Sequence, residues 1–470
     1  MNGERAERHL RLAAEAGLRR SRTLPDFGTA PNARAVFTDC IARLSGVAAA
    51  LTAVGALDAD RADEILLQFQ AALAVRHQLH PQTAGPLLRP ARTRMVPAAA
   101  PAATAGPAPD LAPGPAAPWR VYSVGRMLPF RDEFVAGELY VLSLLVTAER
   151  AQALAIAPMR PAIAGGPGLA GFPEPFMKIT ATDDRGTEYQ VNFYGGGNGT
   201  HWEGRLVIEP APPAGTRWLE LTIGDAAPRA RIDLTAPAPP ANVSTRPQDR
   251  PPGEQLLEHM AQQILVNSAG WPGDAWERAR GLGDVVAGLE AAGALSPFSP
   301  VPGYLATICE RMDIEGHDLT ATPRADLPAP WLSVLAWSGR RHRPATRDGT
   351  ASTGLVLPDV DGAQVAVTGL HTRGNQTWLH VVVGRERSDR LVADVGPLSH
   401  PRFCCWLRDD TGQWHVAVPG SWGSDVPGEI TGSLQVLPPL GRDTARITLL
   451  ASTLTSQVRA DVPLHWWAAP

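Results

Sequence analysis

Asp183-Asp184-Arg185-Gly186-Thr187-Glu188-Tyr189-Gln190-Val191 reads as a tight acidic-glycine turn that runs into an alternating strand. The pattern returns as Asp409-Asp410-Thr411-Gly412-Gln413-Trp414-His415-Val416. Aspartate bonds back onto its own turn, and glycine accepts positive φ at no steric cost, so both stretches predict the same hairpin. In this reading Trp414 stands where Tyr189 does. The likeness continues downstream. Gly204-Arg205-Leu206-Val207-Ile208-Glu209-Pro210 answers Gly432-Ser433-Leu434-Gln435-Val436-Leu437-Pro438. Leu219-Glu220-Leu221 answers Ile447-Thr448-Leu449, and Arg231-Ile232-Asp233-Leu234 answers Arg459-Ala460-Asp461-Val462. A repeat of this length governs every later assignment of the fold.

Upstream of each copy the period changes from two to between three and four. Ile41, Leu44, Val47, Ala48, Leu51 and Val54 make one apolar stripe, which predicts a helix over 36–56 ended by Gly55. Asp58 or Asp60 caps the next helix, whose face is Ala62, Ile65, Leu66, Phe69, Ala72 and Leu73. Two such helices on a short connection form an antiparallel hairpin. The second half repeats it: Leu44, Val47, Leu51, Ala53, Gly55, Ala56 and Leu57 match Leu282, Val285, Leu289, Ala291, Gly293, Ala294 and Leu295 without a gap. Ser299 before Pro300 caps the partner helix there. Glu254 to Asn267 is a further helix. A polar helix is predicted over 4–20, with no evident packing partner.

Between and after the helical regions, short alternating runs bounded by Pro and Gly predict β-sandwiches of about 100 residues each. Gly125, Leu128 and Pro129 match Gly354, Leu357 and Pro358 at their starts. The expected plan is multidomain, α plus all-β: two helical-hairpin modules alternating with two Ig-like antiparallel β-sandwiches, from a tandem internal duplication. Its boundaries are 1–96 for the first helical module, 97–118 for a Pro/Ala linker and 119–235 for the first sandwich. They continue with 236–253 for a Pro-rich linker, 254–350 for the second helical module and 351–470 for the second sandwich.

Bulk properties exclude several classes. The 470 residues carry a formal net charge of −4, which argues against a nucleic-acid binder, since those are strongly basic. No run of about 18 apolar residues occurs, so no membrane span is expected. The four cysteines, 40, 309, 404 and 405, form no CxxC pair, and Met1–Arg22 lacks an apolar signal core. A soluble protein of a reducing, bacterial cytoplasm is the expectation.

Candidate chemistry is sparse. Asp183, Asp184, Gly186 and Glu188 offer oxygens to a calcium ion, but the alternate-position ligand pattern is missing and the second copy has Gln413 for Glu188. Gly195-Gly196-Gly197-Asn198-Gly199 lacks the Lys-Ser/Thr of a phosphate loop and reads as an interstrand loop, with Pro419 to Gly428 as its counterpart. The twelve histidines show no HExxH or CxxC…HxxxH spacing, so no metal or cofactor is expected. No G-x-S-x-G elbow appears in a strand-to-helix setting, so no catalytic residue is assigned. Cys404 and Cys405 are neighbours in a strand, so their side chains take opposite faces.

The remaining binding candidates are aromatic and basic. Ten of the 13 tryptophans lie from Trp271 onward. Trp202 and Trp422 are expected on paired loops, and one of Trp466 and Trp467, at the end of the chain, with Trp466 the candidate, as an exposed anchor or an inter-domain contact. Arg340, Arg341 and Arg343, with Arg347, form a basic cluster between helices and sandwich, as Arg89, Arg92 and Arg94 do in the first half. The functional expectation is a non-enzymatic binding or adaptor protein whose partner is another protein. The alternative is a carbohydrate-binding or carbohydrate-processing protein that uses exposed tryptophan faces.

Overall fold

The apolar stripes close into helices where the spacing places them. α2 (Pro31–Ala53) and α3 (Ala59–Arg76) are joined through Gly55 at φ 68°. Asp58 Oδ1 accepts the Asp60 and Arg61 N–H groups and so caps α3. The second half repeats this with α5 (Leu282–Ala291), Gly293 at φ 67°, and α6 (Val301–Arg311). Preceding helices also correspond: α1 (Asn2–Arg20) and α4 (Pro252–Gly270). Gly3 lies against the Ala56 carbonyl and Gly253 against that of Ala294, so a shared Gly-Glu start seats both. α7 (Ala329–Ser338) completes the helices described.

A computed structural model describes residues 2–21, 31–76, 119–131, 136–158, 179–197, 201–223, 229–237, 243–245, 251–270, 279, 281–314, 317–338, 349–360, 363–373, 376–384, 404–423, 429–441, 443–452 and 456–468. The expected linker at 97–118 and the basic clusters at Arg89, Arg92 and Arg94 and at Arg340, Arg341, Arg343 and Arg347 lie outside these residues, as do Trp271 and Trp276.

Eighteen strands are described. The first β unit comprises β1 (Arg120–Arg131), β2 (Ala136–Val146), β3 (Ala151–Pro158), β4 (Ile179–Asp183), β5 (Glu188–Gly197), β6 (His201–Glu209), β7 (Trp218–Ile223) and β8 (Arg229–Asp233). β9 (Val243–Thr245) follows. The second unit comprises β10 (Gly349–Val360), β11 (Ala363–Arg373), β12 (Gln376–Gly384), β13 (Cys404–Asp409), β14 (Trp414–Gly423), β15 (Glu429–Leu437), β16 (Arg446–Ser452) and β17 (Ser456–Pro463), with β18 (His465–Ala468) after it. All pairs are antiparallel. The orders are β1-β2-β3-β6-β5-β4-β7-β8 and β10-β11-β12-β15-β14-β13-β16-β17, the same strand for strand. β1 lies against β8 and β10 against β17, so each unit is nearly closed. β18 and β9 extend the second unit at β10 and β17.

Register sharpens the repeat and corrects parts of the reading above. Bulges fall at Ser123/Arg126 and Ser352/Leu355, around Gly125 and Gly354 at φ 54° and 51°. Tyr189 lies six residues after Asp183, and His415 six after Asp409, so His415 takes the place of Tyr189 and Trp414 that of Glu188. A one-residue slip along a strand exchanges its faces, so this correction moves Trp414 from core to outer face. In the last strand Arg231 pairs with Glu220, while Asp461 pairs with the equivalent Thr448, so Arg231 answers Asp461 and not Arg459. A slip of two keeps the face, which is why the sequence pattern hides it. The Gly195–Gly199 loop is also revised: Gly195 to Gly197 continue β5, and Pro419 to Gly423 continue β14.

Counterparts pack against each other. α2 meets α5, α1 meets α5 and α4 meets α2, while β1 meets β10. Such self-matching contacts are those of a two-fold dimer, here within one chain. Helices of both halves share one core, with Leu10, Leu51 and Leu73 buried beside Leu257, Leu289 and Leu305. Arg43 ties the halves together. Its Nε is 3.0 Å from Asp39 Oδ2, and its Nη1 is 2.6 Å from Asp318 Oδ2 and 3.5 Å from Asp284 Oδ2. The other Asp318 oxygen accepts the Gly283 N–H at 2.8 Å. Arg43→Ala leaves three carboxylates facing one another in a partly buried site, and about 2 kcal/mol of loss is expected in urea unfolding. A change under about 0.5 kcal/mol, the range of an ordinary surface substitution, would show that solvent already supports the cluster.

Among the described residues the helical layer covers one β unit, the second. α4 and α7 lie on β13 and β14, and the shared core takes in Cys404, Trp406, Val416, Val418 and Leu437. Trp406 Nε1 donates to Gln262 Oε1 at 3.2 Å, which also accepts from Ser452 Oγ at 3.2 Å. Ser333 Oγ donates to the Trp414 carbonyl at 3.1 Å. Cys404 faces this helical core and Cys405 the interior of the second β unit, as strand alternation requires.

Candidate functional site

The acidic-glycine turns are structural sites. Asp183 Oδ1 accepts the Arg185 and Thr187 N–H groups at 2.9 and 2.8 Å, and Tyr189 Oη donates to Oδ2 at 2.8 Å. Asp409 Oδ1 accepts the Thr411 and Gln413 N–H groups at 3.0 and 2.8 Å. His415 Nε2 lies 3.4 Å from Asp409 Oδ2, and its Nδ1 donates to the Pro438 carbonyl at 2.7 Å. The next aspartate acts alike in both copies: Asp184 accepts the Arg217 N–H at 3.0 Å, and Asp410 that of Ala445 at 2.8 Å. Burial raises the Tyr189 hydroxyl to about 12, helped by its bond to Asp183. These carboxylate oxygens are committed to the chain's own N–H and O–H groups. Among the described residues no group of three or more His, Cys, Asp or Glu side chains is placed to hold a metal.

The thiols are poor nucleophile candidates. All four are free and buried, and burial pushes Cys309 and Cys405 up to about 12 and Cys40 upward. A thiol held protonated is inert.

The contrast between the two β units marks a different surface. In the second unit the outer face of β13 and β14 carries Trp406, Trp414, Val416 and Val418, and helices cover it. The equivalent positions in the first unit are Thr180, Glu188, Gln190 and Asn192, with Thr182 and Tyr194 beside them. Thr180, Glu188, Gln190 and Tyr194 are exposed. Gln190 Nε2 donates to Asn192 Oδ1 at 3.3 Å along the strand. The neighbouring strands extend the face. Arg231 stands 4.0 Å over the Trp218 ring, and Arg229 and Arg231 reach Glu220 at 3.1 and 3.3 Å. Beneath it, Ala181, Leu206, Leu219 and Leu221 are buried, so the face rests on a packed sheet.

A second exposed feature belongs to the other half. Asp58 and Ser299 take the same capping place, Ser299 Oγ accepting the Val301 N–H at 3.4 Å. Between Leu295 and Ser299 the chain inserts Ser296-Pro297-Phe298, which has no counterpart after Leu57. Phe298 is 93% exposed on this insertion. Its N–H bonds to Ser296 Oγ at 3.3 Å, within a turn closed by the Ser299 N–H on the Ser296 carbonyl.

The binding candidates expected from the sequence fall apart in space. Trp202 lies in β6, opposite Gly197 and Ala157, whereas Trp422 lies in β14 opposite Gly432. β14 corresponds to β5, so the two tryptophans occupy non-equivalent strands, and Trp422, opposite Gly432, answers Gly195, opposite Gly204. Trp466 is half-buried in β18, with Nε1 donating to the Thr444 carbonyl at 2.6 Å and its ring on the second unit's core. It seals a sheet edge and so is not the exposed anchor that was one of its two expected roles. No tryptophan whose side chain is described is exposed. Sequence reasoning passed over His371, Trp378 and His380, which sit on the outer face of β11 and β12. The signal was their alignment with Leu145, Gln152 and Leu154 of the first repeat, two apolar positions turned to imidazole.

No protein family matches the chain, and no curated protein does. Among solved structures, one described as the crystal structure of the conserved domain protein from Bacillus anthracis is 5% identical. The match covers 70% of this chain and 77% of that one at a TM-score of 0.16, too low to support an argument about fold or activity. No helix among the described residues is long and apolar enough to cross a membrane.

Proposed function

We propose that the chain is a non-enzymatic binding or adaptor protein, duplicated in tandem, whose partner is another protein. The observation that carries this is the outer face of β4 and β5, which stands exposed where its equivalent on β13 and β14 docks helices. Nearby, Trp218 with Arg231 and the exposed Tyr194 supply residue types enriched in protein interfaces. Phe298, exposed on a turn flanked by Pro297 and Pro300, adds a preorganised aromatic of the kind that anchors partners.

The finer architecture belongs to the same reading. β2-β3-β6-β5 and β4-β7-β8 follow the ABED and CFG orders of an immunoglobulin constant-type sandwich, with β1 added outside. β11-β12-β15-β14 and β13-β16-β17 follow them again. The four free cysteines support a reducing, cytoplasmic setting.

The test is site-specific photocrosslinking in the native host. A photoreactive residue at Glu188 or Gln190 is expected to capture one defined protein, while the same residue at the exposed Arg446 of β16 does not. Absence of an adduct at both first-unit positions would remove the proposal. Glycan-dependent quenching of tryptophan fluorescence would favour the carbohydrate reading in its place.

A further inference from the structure

One helix face is closed in the second half of the chain and open in the first. Gly3 and Gly253 hold matching seats, and His9 and His259 follow at the same distance, so α1 and α4 align residue for residue. In that alignment Leu12 takes the place of Gln262, and Glu15 that of Leu265. Gln262 and Leu265 are 4% and 0% exposed, and α4 lies on β13 and β14. Gln262 Oε1 accepts from Trp406 Nε1 at that contact, and Gln263 Nε2 reaches Cys404 Sγ at 3.5 Å. On α1, by contrast, Leu12 is 52% exposed, and Arg5, Arg8, Glu15 and Arg19 are exposed with it. Positions 5, 8, 12, 15 and 19 recur at three- and four-residue steps, so they share one stripe of the helix. Ala6, Leu10 and Ala14 anchor the other side in the helical core, so the stripe is held outward.

The sheet face that would receive such a helix in the first unit is open too. Thr180 answers Trp406, and Glu188, Gln190 and Asn192 answer Trp414, Val416 and Val418. Within the chain α1 packs on α2, α3 and α5. Both sides of one contact therefore stand apart in the first half, and they differ from the second half in a matched way. Where α4 meets its sheet, the surfaces are aliphatic, aromatic or amide. The α1 stripe instead carries three arginines and one glutamate, and the outward residues of β4 and β5 carry a single charge, that of Glu188. The signs are opposite.

We infer that the α1 stripe docks on the β4–β5 face of a second copy of this chain, in the pose that α4 takes on β13 and β14. This names an occupant for the face read above as a binding surface and rests on that reading; a copy and a partner protein compete for it. Each copy presents one stripe and one face, so two copies that exchange them bury both. The change in chemistry suits the change in role. An apolar contact holds a permanent layer within a chain, whereas a polar contact of opposite charges forms and parts between chains.

Cysteine pairing on the full chain tests this. Leu12→Cys in one chain and Thr180→Cys in a second, differently tagged chain stand at the equivalent of the Gln262–Trp406 contact, and oxidation of the mixture is expected to give the mixed disulfide. Gln68→Cys, exposed on α3, is the control in place of Leu12→Cys and is expected to give about tenfold less, since docking does not raise its effective concentration. Sedimentation of the native chain at about 100 μM, above the micromolar constants of weak interfaces, is expected to show self-association. Arg5→Glu with Arg8→Glu, or Glu188→Arg alone, is expected to weaken it by about tenfold, with circular dichroism showing that the variants fold. A monomeric native chain at that concentration would overturn the inference, as would a mixed disulfide no more abundant than in the Gln68→Cys control. A monomer whose Glu188 photoadduct in the host is a different protein would discard the second copy and keep the adaptor reading. A self-associating chain whose adducts are only its own copies would do the reverse.

Discussion

Trp406→Ala is expected to cost about 3–5 kcal/mol, while Thr180→Ala, at the same place in the first unit, changes stability by less than about 0.5 kcal/mol. Trp406 is 4% exposed and sits in the core shared by helices and sheet. Its removal leaves a cavity between layers that both halves of the helical core help to hold rigid, so collapse recovers little. Gln262 Oε1 keeps its bond from Ser452, so most of the cost is lost packing. Thr180 is exposed, and no described helix packs on it. Denaturant unfolding followed by circular dichroism, with amide exchange across α4, separates the outcomes. Equal costs at both positions would mean that the first unit's face is covered as well.

Asp409→Ala is expected to cost about 3 kcal/mol, and Asp409→Asn about 1. Alanine strands the Thr411 and Gln413 N–H groups in a buried turn, whereas the asparagine oxygen still accepts them. The charge gives a separate signature. Burial pushes the Asp409 carboxyl upward, but the proximity of His415 and the bonds from the Thr411 hydroxyl and the Gln413 N–H outweigh it and bring the group to about 2. The unfolded value is about 3.9, so the folded group holds its proton less tightly. Its contribution is therefore complete above about pH 4 and is lost as the pH falls toward about 2, roughly 2 kcal/mol in all. Stability measured from pH 5 down to pH 2 should fall more steeply for the native chain than for Asp409→Asn. Parallel curves would assign the acid loss to other carboxylates. Asp183, bonded in the same way and held below the usual carboxylate range against its burial, adds a parallel contribution from the first unit.

The repeat was legible because its markers are local. An aspartate that closes its own turn and a glycine at φ 78° or 87° leave a signature within four residues, and both copies keep it. Alternation likewise marked the strands, and three-to-four spacing marked the helices. Register was harder. A two-residue offset between β8 and β17 preserves every face, so composition cannot detect it. α1 was legible as a helix but not in its packing. Its surface is laced with ion pairs, such as Glu7 with Arg11 and Arg61, which mask a narrow buried stripe through Ala6, Leu10 and Ala14.

The candidate surface was legible only by comparing copies. Glu188, Gln190 and Asn192 alone are an ordinary solvated strand face. Against Trp414, Val416 and Val418 they mark an exposed copy of a docking face.

From residues alone came the helices, the strands, the duplicated turn and the absence of a recognisable catalytic motif, since each depends on neighbours within a few positions. Only the folded chain decided that counterparts pack on one another, that the helical layer rests on one β unit, and that α1 keeps an open face where α4 meets a sheet. Those outcomes join residues far apart along the chain. They are settled by which faces exclude water together, a property of surfaces that no single stretch carries.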